Sequence, residues 1–230
     1  MSGQMRILAI DTSLAAGSIA ACTDGTTVER HLPLAGAHAR LVVTALGEAA
    51  AELGWEVGMA DLVAVVRGPG SFTGLRVGVA TAKAIAWTCG ARLVGVSGFE
   101  TIAWTAARET DLGDRPLEIA YDAGRGELYA ATATKAGDAA CGWQVGPARL
   151  LPAADWLATL PHGRVVAGPG LAAVEESLPS RPDLVVVPPS CWASGAVAAA
   201  AVARRAEGRS DDPALLVPDY LRPSYAEDRG

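Results

Sequence analysis

The stretch from Leu62 to Ala86, LVAVVRGPGSFTGLRVGVATAKAIA, joins a short apolar run to a glycine-rich break and a long apolar segment. Leu62 to Val66 is rich in β-branched residues and too short for a helix, which predicts a buried strand. Glycine and proline then interrupt the run, and Ser71 and Thr73 are favourable N-cap residues for a helix that begins near Gly74. The stretch therefore predicts a strand–turn–helix unit of an α/β sheet.

The glycine-rich turn has two interpretations that the sequence leaves open. It can aim backbone N–H groups at an anion or at another chain, or it can be a plain tight connection. The phosphate-loop pattern is absent, because no Gly-Lys-Ser/Thr occurs at the required place. The dinucleotide pattern is incomplete, since its third glycine comes one place late at Gly74 and no acidic residue ends the next predicted strand, Arg92 to Val96.

The helix predicted from Leu75 to Cys89 is apolar on every face, whereas an amphipathic surface helix would carry a polar side. Its small residues recur four apart at Gly78, Ala82 and Ala86, and this spacing allows another helix to approach closely. Either the helix is buried under its own neighbour, or a partner protein covers it.

The composition indicates a globular protein with a substantial apolar core. The chain has 230 residues, of which 50% are hydrophobic and 19% are charged, and its formal net charge is −6. This acidic balance disfavours strong binding to nucleic acid or to an anionic membrane by the chain alone. The cysteines are widely spaced, and neither a signal peptide nor a spanning apolar run is found, so we expect a cytoplasmic location with reduced thiols.

The two halves of the chain repeat the same elements in the same order. AIDTSLAAGSIAA begins at Ala9 and AYDAGRGELYAA at Ala120, and in both a predicted strand carries an aspartate before a turn and a second strand. A second Gly-Pro-Gly turn begins at Gly168, again after a predicted strand. The repeat predicts an α/β fold of two lobes, residues 1–110 and 111–230, each with a three-strand meander followed by βαβ units flanked by helices. The lobes are expected to face each other across a cleft.

Duplicated lobes with an aspartate at each first hairpin resemble the actin/Hsp70/sugar-kinase superfamily, which has an RNase H-like fold. Within it, the chain resembles the TsaB (YeaZ) family of bacterial tRNA threonylcarbamoyladenosine biosynthesis proteins. The matching segments are ILAIDTS from Ile7, GPGSFTGLRVG from Gly68, YDAGRGELYAA from Tyr121, AGPG from Ala167 and PDYLRPSYAE from Pro218. They span nearly the whole chain, and the GPGSFTGLR block is the specific one.

The resemblance implies a role in tRNA modification without catalysis by this chain. TsaB proteins are thought to activate the paralogue TsaD, which carries the metal and transfers a threonylcarbamoyl group to N6 of the adenosine beside the tRNA anticodon. The ATPase TsaE joins them. We therefore expect a TsaD heterodimer, TsaE in a ternary complex, a homodimer when the chain is isolated, and tRNA bound only through the complex. The alternative function is an actin-like ATPase or small-molecule kinase.

The positions of the histidines are consistent with this expected lack of catalysis by the chain. A metal site of the TsaD kind needs two histidines on one helical face, as in H-x-x-x-H. His31, His38 and His162 cannot supply that motif. We therefore assign no catalytic residue, no metal ligand and no cofactor to this chain.

Two aspartates have two interpretations. In an active ATPase of this superfamily, facing aspartates hold Mg²⁺ beside phosphates that two hairpins grip. Asp11 with Thr12 and Ser13 would suit the first hairpin, and Asp122 lies at the second, which has no hydroxyl residue. These four residues are either a vestigial nucleotide cleft or turn residues in which the aspartates only cap the chain, and we prefer the second interpretation.

We predict that two helices of the first lobe form one partner interface. The helix from His38 to Leu53 has a line of small residues like that of the helix after Gly74. Surfaces of this kind can accept either a twin or a paralogue of the same shape. The predicted interface comprises His38, Val43, Gly47, Ala50, Arg76, Gly78, Val79, Ala82, Lys83 and Ala86.

Overall fold

The computed structural model describes residues 4–32, 38–137, 139–193, 195–206 and 208–221. The chain divides into two compact units, which consist of Met1–Thr101 with Ala193–Asp219 and of Ile102–Trp192 with Tyr220–Gly230. Each unit contains one mixed sheet, so the predicted α/β class with two duplicated lobes is confirmed. The units are not the simple halves 1–110 and 111–230, because a segment near the C-terminus packs with the first unit.

The first unit is built on a five-stranded sheet. Its strands are β1 (Ile7–Asp11), β2 (Ser18–Cys22), β3 (Thr27–His31), β4 (Leu62–Gly68) and β5 (Arg92–Ser97). They lie in the order β3-β2-β1-β4-β5. The first three form an antiparallel meander, and β4 and β5 add in parallel beside β1. This arrangement is the meander followed by βαβ units that the sequence predicts.

Five α-helices occur among the described residues. They are α1 (His38–Glu52), α2 (Phe72–Cys89), α3 (Gly98–Glu109), α4 (Ala153–Thr159) and α5 (Gly195–Arg205). In the first unit, α1 and α2 pack on each other, and their apolar side chains join those of β1 and β4 in one core. The alanine-rich α5 packs closely against β1, β2 and β4, which explains why the first unit includes residues near the C-terminus.

The second unit repeats this topology with two differences. Its strands are β6 (Leu117–Gly124), β7 (Glu127–Lys135), β8 (Trp143–Val145), β9 (Arg149–Pro152), β10 (Val165–Ala167) and β11 (Val185–Val186). β6 and β7 are antiparallel, while β10 and β11 add in parallel beside β6. The third strand of the meander is divided into β8 and β9, which both pair with β7. The second Gly-Pro-Gly turn leads into a 3₁₀ helix, Pro169–Val174, instead of a long α-helix.

The predicted start of α2 is correct to within two residues. The helix begins at Phe72, and the hydroxyl of Ser71 accepts a hydrogen bond from the backbone N–H of Gly74 at 3.3 Å, as expected of an N-cap. It ends before Gly90, whose φ of +67° lies in the left-handed region that favours glycine. None of the described helices has both the length and the apolar character needed to cross a membrane.

Candidate functional site

The turn after β1 is held by its own side chains. Asp11 is buried, and its Oδ1 accepts hydrogen bonds from the backbone N–H of Ser13 at 2.9 Å and from the Ser13 hydroxyl at 2.6 Å. Thr12 is also buried, and its hydroxyl donates to the carbonyl oxygen of Gly74 at 2.7 Å. Three of the predicted nucleotide-cleft residues are therefore engaged in contacts within the first unit.

The carboxylate of Asp11 lies against the start of α5. A Cβ atom added to Gly195, the first residue of that helix, would overlap Asp11 Oδ2. The next residue, Ala196, donates its backbone N–H to the hydroxyl of Ser18 at 3.1 Å. Because a helix N-terminus carries partial positive charge, the buried carboxylate is stabilised there. Asp11 thus supplies an anion from the chain itself at this position.

The glycines of the GPGSFTGLRVG block allow the turn before α2 to approach the turn after β1. Cβ atoms at Gly70 and Gly74 would overlap the carbonyl oxygens of Ser13 and Thr12, and one at Gly78 would overlap the Thr12 hydroxyl. Ser71 also donates its backbone N–H to the carbonyl oxygen of Ser13 at 2.7 Å. Of the two open interpretations of this turn, these contacts support a tight connection from β4 to α2 that packs on the turn after β1.

Asp122 occupies the corresponding hairpin of the second unit. It is exposed, and its Oδ1 accepts a hydrogen bond from the backbone N–H of Gly124 at 2.7 Å. This contact is the local turn that short acidic side chains commonly make. A joint role of Asp122 and Asp11 in a nucleotide cleft stays a prediction.

The predicted partner interface requires a correction. Five of its members are buried in the first unit, and these are Ala50, Gly78, Val79, Ala82 and Ala86. All but Gly78 belong to the core that α1 and α2 form with the sheet, and Gly78 faces Thr12. The small residues therefore permit close packing inside the unit, because the sheet and α1 occupy the space that a partner helix would need.

The neighbouring rows of the same two helices are exposed, except that Gly47 on α1 is half-buried. On α1 the row contains Val43 and Gly47 from the prediction, and it continues to Ala51 instead of Ala50. On α2 the exposed row follows a different line of residues from the predicted row Gly78, Ala82 and Ala86. We call these rows the exposed stripes, and they consist of Val43, Gly47 and Ala51 on α1 and of Phe72, Arg76, Ala80, Ala84 and Trp87 on α2. Apart from Arg76, the α2 residues escape prediction because alanine and glycine occur on every face of this helix, although Trp87 is a recognisable signal.

The exposed stripes are apolar for a protein surface. The side chain of Trp87 is 76% exposed and that of Val43 is 53% exposed. The only charged residue in the α2 row is Arg76, whose guanidinium lies 3.8 Å from the centroid of the Phe72 ring. Rows of large exposed apolar side chains are typical of protein interaction sites.

The remaining two predicted interface residues have different positions. Lys83 is partly buried, and its Nζ donates to the carbonyl oxygen of Leu216 at 3.1 Å, so its charge is directed to the chain's own C-terminal segment. Asp219 continues that segment and pairs with Arg67 at 2.8 Å. Burial raises the pKa of the Asp219 carboxyl, and the Arg67 charge opposes the shift. The side chain of His38, the first residue of α1, lies outside the described residues.

Among the described residues, no group of three or more His, Cys, Asp or Glu side chains is arranged to hold a metal ion. His162 lies 3.2 Å from Asp183, which also accepts two hydrogen bonds from Arg181. These bonds lower the pKa of the Asp183 carboxyl strongly. This cluster joins the end of α4 to the strand region before β11, since Arg181 also donates to the carbonyl oxygens of Leu157 and Leu160.

Comparison with known proteins connects this fold to one family. The family model described as TsaD, tRNA N6-adenosine threonylcarbamoyltransferase, matches residues 34–153, which is just over half of the chain. An uncharacterized protein of Mycobacterium tuberculosis is 34% identical over 190 residues, 79% of this chain and 71% of that protein. The chain belongs to this family. Several of the curated relatives are named TsaB.

The TsaB protein of Escherichia coli is 37% identical over 126 residues, which cover 54% of this chain and 53% of that protein. The chain thus matches about half the length of the curated TsaB relatives. A crystal structure from Pseudomonas aeruginosa, of a protein described as similar to peptidase YeaZ, covers 95% of this chain and 100% of its own, with a TM-score of 0.75 and 25% identity. The resemblance to TsaB (YeaZ) stated from the sequence is confirmed.

Proposed function

We propose that this chain is a non-catalytic subunit in the biosynthesis of threonylcarbamoyladenosine in tRNA. It binds and activates a TsaD-type transferase, and its exposed stripes on α1 and α2 form the binding surface. The observation that carries the proposal is this uncovered apolar surface in a chain whose curated relatives are named for that biosynthesis. A TsaE-type ATPase completes the complex, and tRNA binds to the assembly.

The family membership supports a partner of the same fold. The TsaD family model matches the segment that contains α1 and α2, so a TsaD-type partner would present an equivalent pair of helices. Two such pairs can form a pseudo-symmetric interface, and two copies of this chain can use the same surface when the partner is absent. The same stripes therefore account for a heterodimer in the cell and a homodimer of the isolated chain.

The test is a reconstituted modification assay with purified TsaD-type and TsaE-type proteins from the same organism. Modified adenosine in tRNA should form at a high rate only when this chain is present. Ala84→Glu, which places a charge in the α2 stripe, should reduce the rate because a buried unpaired charge weakens the interface. Ala107→Glu is the matched control, since Ala107 is exposed on α3 outside the stripes. Equal rates with and without the chain would refute the proposal.

A further inference from the structure

A buried carboxylate in the second unit lies between two arginine side chains. The side chain of Glu118 on β6 is only 5% exposed, and the hydroxyl of Thr132 lies 3.0 and 3.1 Å from its two oxygens. Arg149 Nη2 lies 3.9 Å from Glu118 Oε2, and Arg164 Nε lies 3.9 Å from Glu118 Oε1. Each oxygen of the carboxylate therefore faces a different guanidinium group.

The sheet register builds this cluster. Glu118 is paired with Thr132 on β7 and with Val166 on β10, and Arg164 precedes β10. Arg149 begins β9 opposite Ala130, which shares a sheet face with Thr132 because side chains alternate along a strand. Strands far apart in sequence thus bring the two arginines to one side of the same sheet, next to Glu118.

The two guanidinium groups keep their hydrogen-bond donors free for another acceptor. A separation of 3.9 Å is too long for a hydrogen bond, so the attraction to Glu118 is only electrostatic. Among the described residues, neither Arg149 nor Arg164 donates a hydrogen bond. The side chain of Arg149 is 56% exposed and that of Arg164 is 24% exposed, so solvent reaches both. Two positive charges and one negative charge leave the cluster with an excess of one positive charge.

We infer that Arg149 and Arg164 bind a backbone phosphate of the tRNA, with Glu118 as the positioning residue that holds the two guanidinium groups near each other. The inference rests on the proposed function, which makes tRNA the substrate of the assembly. Guanidinium forks match the oxygens of a phosphate, and the excess charge of the cluster balances one phosphodiester. An exposed site of this kind makes one weak contact. Such a contact raises the affinity for a polyanion that is also held at other points, but it binds free phosphate only weakly.

The test measures the affinity of the complete complex for tRNA at increasing salt concentration. Arg149→Gln should weaken binding several-fold and reduce the slope of log K against log salt by about 0.7 to 0.9, the value for one lost phosphate contact. Arg149→Lys should retain the slope because the charge remains. Arg205→Gln is the matched control, since Arg205 is exposed on α5 in the other unit. An unchanged slope with Arg149→Gln, or an equal reduction with Arg205→Gln, would overturn the inference.

A second variant separates this effect from a loss of folding. Removal of both arginines would leave the buried carboxylate unpaired, so the triple variant Glu118→Gln, Arg149→Gln and Arg164→Gln removes the whole cluster without that penalty. It should remain folded by circular dichroism and lose at least as much of the salt slope as Arg149→Gln. Tight, saturable binding of inorganic phosphate to the wild-type chain would contradict a polynucleotide contact. A chain that fails to join the complex would refute the proposed function, whereas an active complex with an unchanged slope refutes only this inference.

Discussion

The substitution Asp11→Asn separates a structural role of the first hairpin from nucleotide chemistry. Asn keeps the size of the side chain and the Oδ1 acceptor that Ser13 uses, but it removes the negative charge. Its amide group would also place N–H donors toward the start of α5, where Gly195 contacts Oδ2 in the wild type. We therefore expect the variant to lower the free energy of unfolding.

The expected loss follows from two contributions. A charge at a helix N-terminus contributes up to about 2 kcal/mol when it is partly buried, and Asp11 is only 6% exposed. The two hydrogen bonds from Ser13 change from charged to neutral, which weakens them by about 1 kcal/mol or less each. The total loss should be about 2 to 3 kcal/mol.

The assay is urea unfolding of the isolated chain, followed by circular dichroism. Asp122→Asn is the matched control, because Asp122 is exposed and, among the described residues, accepts only the local hydrogen bond from Gly124. That variant should change stability by less than about 0.5 kcal/mol. The reasoning is refuted if Asp11→Asn unfolds at the wild-type urea concentration. ATP turnover that Asp11→Asn abolishes without loss of stability would support the actin-like ATPase alternative.

Three other substitutions test the packing and the charges of the two units. Gly74→Ala should lower the free energy of unfolding, measured with urea, by about 1 to 3 kcal/mol, because the added Cβ would overlap the carbonyl oxygen of Thr12. Wild-type stability of this variant would contradict the contact. Ala82→Glu should unfold the first unit, since it places an unpaired charge in the core, so a wild-type thermal transition would show that the position is not buried. Asp183→Asn should destabilise the protein near neutral pH. Hydrogen bonds from Arg181 lower the pKa of the Asp183 carboxyl, so the stabilisation by the charged carboxylate is present above the ordinary pKa of 3.8 and is lost as the pH falls below it. The free energies of unfolding of the variant and of the wild type, plotted against pH, should therefore converge in acid and not in base.

The local features of the fold are predictable because their signals lie close together in sequence. The buried strand at Leu62 to Val66, the turn that follows it and the N-cap at Ser71 each depend on a few adjacent residues, and the structure confirms the corresponding elements. The repeat of the first hairpin at Asp122 then predicts the second sheet. Local propensity and alternation determine these elements, so a single sequence is sufficient.

Which elements pack against each other cannot be predicted from adjacent residues in the same way. The row Gly78, Ala82 and Ala86 indicates that something approaches α2 closely, but the same row would fit a partner helix or the chain's own sheet. The structure places β1, β4 and α1 there. Similarly, α5 follows the last strand of the second sheet as α3 follows the last strand of the first, yet α5 packs with the first sheet. Contacts between distant residues decide both cases.

The residues of the proposed phosphate contact are still harder to predict from the sequence. Glu118 lies between apolar residues near the start of β6, where a charged residue predicts either a solvent-facing side chain or an ion pair. Its neighbours Thr132, Arg149 and Arg164 come from three later parts of the chain. Only the pairing of β6 with β7 and β10, together with that of β7 with β9, brings them together.

The dissociation constant of this chain from a purified TsaD-type partner tests the central claim most directly. Titration calorimetry should be done with the wild type, with Ala84→Glu in the exposed α2 stripe and with Ala107→Glu on α3, after circular dichroism has shown that all three are folded. The account predicts that Ala84→Glu weakens binding by about 100-fold or more, because burial of an unpaired charge costs several kcal/mol and each 1.4 kcal/mol is tenfold in affinity. Ala107→Glu should bind as the wild type does. Wild-type affinity of a folded Ala84→Glu variant would contradict the account.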